Sequence, residues 1–254
     1  MVRLRPRRLD AGSHEEAYDL WARHFADPAL MANRDAETNR RKLERVAEHL
    51  PVSAASSVLD VGPGDGALLR ILAARVAHGC GVDPSEAAIV RLRELFAAAA
   101  QLTFRQGSAL DLPFPDASFD TVVVNSVLHM LPEPGEVRAG LAEAVRVCRP
   151  GGVVWVGELP FRAELARGIV PHMMRKLREY GPRAYARLLY HVYLRPVLRG
   201  EPVVLYPARN THVPRDAFET WARELGCTVE CFRHRELQRP SETRNDYRLT
   251  RARA

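Results

Sequence analysis

The stretch VLDVGPGDG, at residues 58–66, is an apolar run that stops in three glycines at alternate positions. The apolar part predicts a buried strand, and a helical pattern, ALLRILAARVA, follows it at residues 67–77. Without a β-carbon, Gly62, Gly64 and Gly66 can adopt backbone angles that other residues avoid, which suits either a tight turn or a close approach to a ligand. Strand, glycine turn and helix together predict the first βα unit of an open α/β sheet.

Short β-rich runs alternate with helical patterns along the chain. The predicted strands lie at residues 57–61, 79–83, 102–106, 120–125, 153–158, 227–234 and 245–251. The predicted helices between them lie at residues 67–77, 85–100, 136–148 and 214–226, with a turn at residues 149–152. Strands that alternate with helices form right-handed crossovers. We therefore expect a Rossmann-like α/β fold, in which a doubly wound, mostly parallel sheet of seven strands is covered by helices on both faces.

The charges around the glycine turn favour a cationic ligand. Ligands of open parallel sheets bind beyond the carboxyl ends of the strands, where the strand order reverses. The spacing is G-x-G-x-G instead of the dinucleotide pattern G-x-G-x-x-G, with Asp60 before it and Asp65 inside it. Two carboxylates repel a pyrophosphate but suit an ammonium or sulfonium group. Asp83 ends the next strand, where a carboxylate can accept hydrogen bonds from both hydroxyls of a ribose.

Composition limits the class of protein. The chain has 254 residues, of which 46% are hydrophobic and 27% charged, and this suits one large α/β domain. No apolar run approaches the roughly 18 to 20 residues that a membrane helix requires. The basic start lacks the apolar stretch of a secretory signal, so we expect a cytoplasmic protein. Because the four cysteines form no CxxC pair, we expect buried free thiols and no metal site.

Four stretches, in order, resemble the class I S-adenosylmethionine-dependent methyltransferases, especially the small-molecule type that includes quinone and secondary-metabolite enzymes. They are VLDVGPGDG, GVDPSEAAI, FRQGSALDLPFPDASFDTVVVNSVLHML and RVCRPGGVVWVGE, at residues 58–66, 81–89, 104–131 and 146–158. The resemblance covers roughly residues 55–160 and is present only in outline elsewhere. It implies methyl transfer from S-adenosylmethionine to an oxygen, nitrogen or carbon atom of a small-molecule acceptor.

The resemblance also implies which residues bind this cofactor. They are Asp60, Gly62, Gly64, Gly66, Asp83, Ser108, Ala109 and Asn125. Asp60 and the backbone of the glycine turn hold the methionine portion, and Asp83 binds the ribose hydroxyls. Asn125, at the end of the fourth strand, lines the methionine side near the transferred methyl group.

The adenine contact departs from the family pattern. The resemblance places the segment Gly107-Ser108-Ala109 against the adenine. The family often has an acid at the position of Ser108, where it accepts a hydrogen bond from the adenine amino group. A serine hydroxyl can also accept this bond, although more weakly.

Two residues on the acceptor side are candidates for catalysis. Transfer of a methyl group from a sulfonium is an in-line displacement, and a base helps only where the acceptor must lose a proton. His129 follows the fourth strand and is expected to be a general base or to orient the acceptor; the alternative is a histidine that packs its loop. Glu158 ends the fifth strand and is expected to orient an amine or to take a proton; the alternative is a solvated acid at a strand end.

We expect a single domain in four parts. They are an N-terminal helical lid (1–52), a cofactor-binding core (53–160), a helical cap inserted after the fifth strand (161–200) and the C-terminal part of the core sheet (201–254). The lid carries helical patterns at residues 13–26 and 35–49. Tyr18 and Trp21, in the first pattern, either fold over the cofactor or pack their helix.

The predicted cap concentrates the positive charge of the chain. The whole chain carries a net charge of +6, whereas residues 161–200 hold nine basic and two acidic residues, a local +7. Tyrosines are interleaved with these basic residues, so we expect a cap over an anionic or aromatic acceptor. The alternatives are a solvated helix face, a dimer surface and attachment to an anionic membrane. The loop at residues 206–214 returns towards the same rim, and its His212 is a weaker candidate for acceptor contact.

Two other functions compete with small-molecule methylation. RNA methylation is suggested by the basic cap, but the sequence NSVLHM at residues 125–130 lacks the N/D-P-P-Y/F type of motif, so no nucleic-acid partner is expected. A catalytically inactive, cofactor-binding partner subunit is the other alternative. Asp60, the glycine triplet and Asp83 weigh against it. Either a monomer or a homodimer is compatible with the sequence.

Overall fold

The computed structural model of the chain describes residues 8–10, 36–161, 203–205, 211–233 and 244–253, with isolated positions between 16 and 23 and between 174 and 198. The described strands are β1 (Arg8–Asp10), β2 (Ser57–Val61), β3 (His78–Asp83), β4 (Leu102–Gln106), β5 (Phe119–Asn125), β6 (Cys148–Pro160), β7 (Val203–Leu205), β8 (Cys227–Arg233) and β9 (Arg244–Arg251). The described helices are α1 (Ala36–Glu48), α2 (Ala67–Leu72), α3 (Glu86–Leu95), α4 (Pro134–Val147) and α5 (Arg215–Glu224), with a 3₁₀ helix at Leu128–Met130.

Seven of these strands form one sheet in the order β4-β3-β2-β5-β6-β9-β8. Strands β2 to β6 pair in parallel, and β9 runs antiparallel to both of its neighbours. The predicted Rossmann-like sheet of seven mostly parallel strands is therefore confirmed. The chain runs outward from β2 to β4 and then continues at β5, on the other side of β2. Ligand clefts in such sheets open at the carboxyl ends of the strands that flank this reversal.

The central strands are buried on both faces because they are continuous apolar runs. On one face, Val122 and Val124 belong to a core that includes buried residues of α4 and α5. On the other face, Val58, Val123 and Trp155 belong to a core that includes the buried residues of α1. Helix α1 therefore packs on strands that lead to the sheet's carboxyl edge.

Some boundaries differ from the sequence predictions. The turn predicted at residues 149–152 is part of β6, where it forms a bulge: Cys148 pairs with Phe119, and the next register pair joins Val153 to Thr121. The helix predicted at residues 67–77 ends at Leu72. It stops early because the backbone N–H of Ala77 donates to the carbonyl of Ser56 at 3.0 Å, which draws the chain towards β3. The helix predicted at residues 85–100 ends at Leu95, before a run of alanines that offers little apolar surface to bury.

Strands β1 and β7 form a separate two-stranded parallel sheet that the sequence did not predict. All four cysteines are free, as predicted, and three of them are buried. Most of the first helical pattern, including Tyr18 and Trp21, and most of the predicted cap lie outside the described residues. No helix within the described ranges combines the length and the apolar character that a membrane span requires.

Candidate functional site

The glycine turn lies at the carboxyl end of β2, beside the point where the strand order reverses. The backbone N–H of Gly62 donates to the carbonyl of Val82 at 2.8 Å, which continues the pairing of β2 and β3 into the turn. Gly62, Gly64 and Gly66 have φ angles of +69°, +58° and +70°. All three are left-handed, a conformation that costs other residues free energy. The turn therefore needs glycine at each of these positions.

The three glycines have different surroundings. A β-carbon at Gly62 would lie 2.4 Å from Val127 Cγ2, and one at Gly66 would lie 2.5 Å from Phe96 Cε2. These two glycines allow side chains to pack tightly against the turn. At Gly64, no described atom lies within 4 Å of the β-carbon position. The backbone of Gly64 is therefore open to a ligand.

Two buried carboxylates flank this turn. Asp60 is 3% exposed and Asp83 is 4% exposed. Burial, together with the charges of Asp65 and Asp83, raises the pKa of Asp60 from 3.8 to about 8. Burial raises the pKa of Asp83 to about 6, against the opposing effect of a hydrogen bond from the Ser85 backbone. Within the described part of the chain, neither carboxylate forms an ion pair, so the site favours a ligand that brings positive charge.

Asp83 is fixed by the start of helix α3. Its Oδ1 accepts a hydrogen bond of 2.9 Å from the backbone N–H of Ser85. The Ser85 hydroxyl caps α3 by accepting from the N–H of Ala88, and it donates to Asp19 Oδ1 at 3.0 Å. Asp19 belongs to the N-terminal segment. This segment therefore contacts the edge of the site.

The segment expected to meet the adenine follows β4. The backbone N–H of Gly107 donates to the carbonyl of Asp83 at 3.1 Å, so this segment lies beside the acid that ends β3. The Ser108 hydroxyl accepts a hydrogen bond of 3.2 Å from the N–H of Leu110. Ser108 and Ala109 are half-buried. The hydroxyl retains acceptor capacity because an oxygen of this kind has two lone pairs.

Asn125 ends β5 and carries a buried acceptor. Its Oδ1 has no hydrogen-bond partner within the described structure. It lies against Gly157 of β6, where a β-carbon would be 2.1 Å from this oxygen. A buried amide oxygen without a partner is costly, and a ligand with a hydrogen-bond donor would satisfy it.

His129 lies in the 3₁₀ helix and is buried. Its backbone carbonyl accepts a hydrogen bond of 2.8 Å from the N–H of Thr211, and the Thr211 hydroxyl donates to the carbonyl of Leu131. The chain at residues 211–214 therefore packs against the segment that follows β5. His212 is exposed, and residues 206–210 lie outside the described ranges.

Glu158 is buried in a set of charged contacts near the end of β6. Its Oε1 lies 3.0 Å from Lys42 Nζ, and its Oε2 lies 3.5 Å from Arg244 Nη1. Its backbone N–H donates to Asp246 Oδ1 at 2.7 Å, and its φ angle is +65°. Lys42 is not among the site residues that the sequence predicts. In the sequence, Lys42 stands out only as a lysine in a chain whose basic residues are mostly arginine. This feature does not indicate which residue the lysine contacts.

Known proteins share the core of this chain. The family described as "Methyltransferase domain" matches residues 59–156. The 27-O-demethylrifamycin SV methyltransferase of Amycolatopsis mediterranei (strain S699) is 33% identical over 126 residues, which are 48% of this chain and 45% of that protein. The phosphatidylethanolamine N-methyltransferase of Cereibacter sphaeroides is 38% identical over 149 residues, which are 58% of this chain and 66% of that protein.

A solved structure shares the fold over most of the chain. It is a chain of the complex between the Haloferax volcanii Trm112 methyltransferase activator and the putative methyltransferase, with a TM-score of 0.63 and 17% identity. The match covers 93% of this chain and 98% of that chain. At this identity the likeness shows the fold alone. By sequence, the chain spans about half the length of the first curated relatives that it matches.

Proposed function

We propose that the chain is a class I S-adenosylmethionine-dependent methyltransferase and that it methylates an oxygen, nitrogen or carbon atom of a small molecule; the match of residues 59–156 to the methyltransferase family supports this. The observation that carries this proposal is the pair of buried carboxylates, Asp60 and Asp83, beside the open backbone of Gly64. A donor with an ammonium, a sulfonium and a ribose matches these groups in charge and in hydrogen bonding.

We assign the donor site residue by residue. Asp60 accepts from the ammonium of the methionine portion, and the backbone of Gly62 and Gly64 lies along that portion. Asp83 accepts from the ribose hydroxyls. This role is supported by its place at the end of β3 and by the bond that fixes one of its oxygens. Asn125 contributes its buried Oδ1 on the methionine side.

The remaining donor contacts follow the same assignment. Ser108 and Ala109 meet the adenine, next to the backbone bond that joins Gly107 to Asp83. Gly66 acts through the shape of the turn, because its position is packed against Phe96. When bound, S-adenosylmethionine supplies an electrophilic methyl group for in-line transfer. The task of the chain is to hold the two substrates in line and to exclude water.

On the acceptor side we propose roles for His129 and Glu158. His129 acts as a general base or orients the acceptor, and its burial beside residues 211–214 supports a position in an enclosed wall. For Glu158, the contacts with Lys42 and Arg244 favour an orienting role over proton abstraction. A carboxylate between two cations is a weaker base than an isolated one.

We propose that residues 1–52 form a lid and residues 161–200 a cap, as the sequence predicts. The bond from Ser85 to Asp19 supports a lid that reaches the donor site. Exposed arginines at the described positions 178 and 183 support a cap that attracts an anionic acceptor. The four free thiols support a reducing, cytoplasmic location. Gel filtration distinguishes the monomer from the homodimer.

The relatives named above act on different acceptors according to their names, so the acceptor of this protein must be found by experiment. The test is incubation of the protein with methyl-labelled S-adenosylmethionine and an extract of its own cells, followed by mass identification of the labelled compound. We expect one labelled small molecule with the wild-type chain and much weaker labelling with Asp83→Ala. Label that enters RNA or no extract component at all would contradict the proposal.

A further inference from the structure

A single ammonium joins helix α1 to two segments at the carboxyl edge of the sheet, the turn after β5 and the bulge near the end of β6. Lys42 Nζ donates to Ser126 Oγ at 3.1 Å and lies 3.0 Å from Glu158 Oε1. The side chains of Lys42 and Glu158 are 7% and 4% exposed. Ser126 follows β5, and Glu158 lies near the end of β6. The backbone N–H of Ser126 donates to the carbonyl of Gly157 at 3.0 Å, so the two segments are also linked directly.

Both segments contain a residue with a strained backbone. Among the described residues, the non-glycine positions with positive φ are Ala117, Ser126 and Glu158, at +55°, +65° and +65°. Lys42 contacts two of these three. Residues other than glycine adopt the left-handed conformation at a cost, and such residues persist only where their surroundings hold them. The Lys42 ammonium is such a restraint for Ser126 and Glu158.

Stability alone is a weak reason for this arrangement. Removal of two charges from water costs free energy that their attraction repays only partly, so a buried ion pair is often no more stabilising than packed apolar side chains. The contacts of Lys42 with Ser126 and Glu158 are better explained by the backbone conformation that they impose. Strained residues that are held in this way cluster at binding and catalytic sites.

The neighbours of Ser126 are the residues that contact the donor site. On one side, Asn125 directs its buried Oδ1 against Gly157. On the other side, Val127 Cγ2 lies 2.4 Å from the β-carbon position of Gly62 in the glycine turn. A change in the backbone angle of Ser126 therefore moves Asn125 and Val127, which lie on the methionine side of the proposed donor site. The ribose acid Asp83 lies on β3, which does not share this turn.

We propose that Lys42 is a positioning residue for the methionine side of the donor site. Its ammonium holds Ser126 and Glu158 in the left-handed conformation and thereby places Asn125 and Val127 against the glycine turn. This inference rests on the proposed function, because it requires the donor site to lie between β2 and β5. Lys42 does not need to contact the cofactor or the acceptor for this role.

The test compares two ligands that differ in the amino-acid portion. S-Adenosylhomocysteine carries this portion, and 5′-methylthioadenosine has the same adenosine and sulfur without it. For Lys42→Met we expect S-adenosylhomocysteine to bind about tenfold more weakly, while 5′-methylthioadenosine changes by less than about twofold. Ser126→Ala, which removes the hydroxyl that Lys42 contacts, should shift the two affinities in the same unequal way if Lys42→Met folds poorly.

A rescue variant separates positioning from general stability. Glycine adopts a φ of +65° without strain, so Ser126→Gly in the Lys42→Met background should restore most of the S-adenosylhomocysteine affinity. Arg251→Met is the matched control. The Arg251 guanidinium donates to the carbonyls of Val145 and Arg146, at the opposite end of β6, so its loss lowers stability without changing the ratio of the two affinities.

The outcomes separate this inference from the proposed function. Wild-type protein that binds neither ligand overturns the proposed donor site and this inference with it. If the wild type binds both ligands and the Lys42 and Ser126 variants lose affinity for both equally, the inference alone is overturned. Failure of Ser126→Gly to rescue Lys42→Met also overturns it.

Discussion

Substitution of Asp60 by asparagine should stabilise the protein in the absence of ligand, increasingly so as the pH rises. Asp60 is 3% exposed, and its pKa is raised from 3.8 to about 8 by burial and by the charges of Asp65 and Asp83. Between these two pKa values the folded chain binds a proton that the unfolded chain has lost. The contribution of Asp60 to the free energy of unfolding therefore falls as the pH rises from 3.8 towards 8.

The size of the effect follows from the part of the interval between the two pKa values of Asp60 that the measurement covers. Each pH unit between these two pKa values changes the free energy of unfolding by about 1.4 kcal/mol, so the step from pH 5 to pH 7 corresponds to at most about 2.7 kcal/mol. Water entry and relaxation around the carboxylate reduce this value, and we expect about 1 to 2.5 kcal/mol. Asp60→Asn removes this titration, so its stability should fall less than that of the wild type over the same interval.

The assay is urea unfolding of both proteins at the two pH values, with the difference between their pH dependences as the readout. Asp111→Asn serves as control, because Asp111 is an exposed aspartate near the same edge. It should follow the wild type. A saturating concentration of S-adenosylhomocysteine should remove the difference, since its ammonium stabilises the ionised carboxylate. Parallel pH dependences for the wild type and Asp60→Asn would refute this reasoning.

Four further substitutions, one of them a control, test individual residues. Asp83→Ala should weaken S-adenosylmethionine binding by about 1.5 to 3 kcal/mol, the range for hydrogen bonds to a charged group, and unchanged affinity by calorimetry would remove the ribose assignment. Gly64→Ala and its control Gly226→Ala each place a methyl group on a backbone with positive φ, +58° and +77°, where no described atom lies within 4 Å. Both substitutions should therefore lower the free energy of unfolding by roughly 1 kcal/mol. Only Gly64→Ala should also weaken cofactor binding. Glu158→Gln keeps a side-chain oxygen that can accept from Lys42, and it should lower turnover more than cofactor affinity. A wild-type rate would show that the Glu158 carboxylate has no role in methyl transfer.

Local patterns were sufficient to predict most of the sheet. Strands β2 and β4 have the predicted bounds, because short apolar or alternating runs bounded by turn residues specify a strand without reference to distant residues. The segment at residues 149–152 has the local sequence of a turn. It remains in β6 because the chain on either side of it pairs with β5. Tertiary pairing outweighed the local preference.

The proximity of the two acids was predictable for the same reason. Asp60 and Asp83 lie at the carboxyl ends of adjacent strands, and parallel strands bring these ends to one edge of the sheet. Lys42 was not predictable, because its partner Ser126 is 84 positions away in the chain and no local pattern encodes such a contact. The pairing of β1 with β7 was missed likewise, since it joins two three-residue strands from distant parts of the chain.

The central claim is that the buried acids beside the glycine turn hold a cationic methyl donor. The most direct measurement is calorimetric titration with S-adenosylmethionine at pH 6.5, in two buffers with different ionisation enthalpies. With the pKa of Asp60 near 8, this carboxyl is protonated in the free protein and ionised against the ammonium, so binding should release about one proton. Asp60→Asn should release far less. Absence of binding, or binding without proton release in the wild type, would contradict the claim.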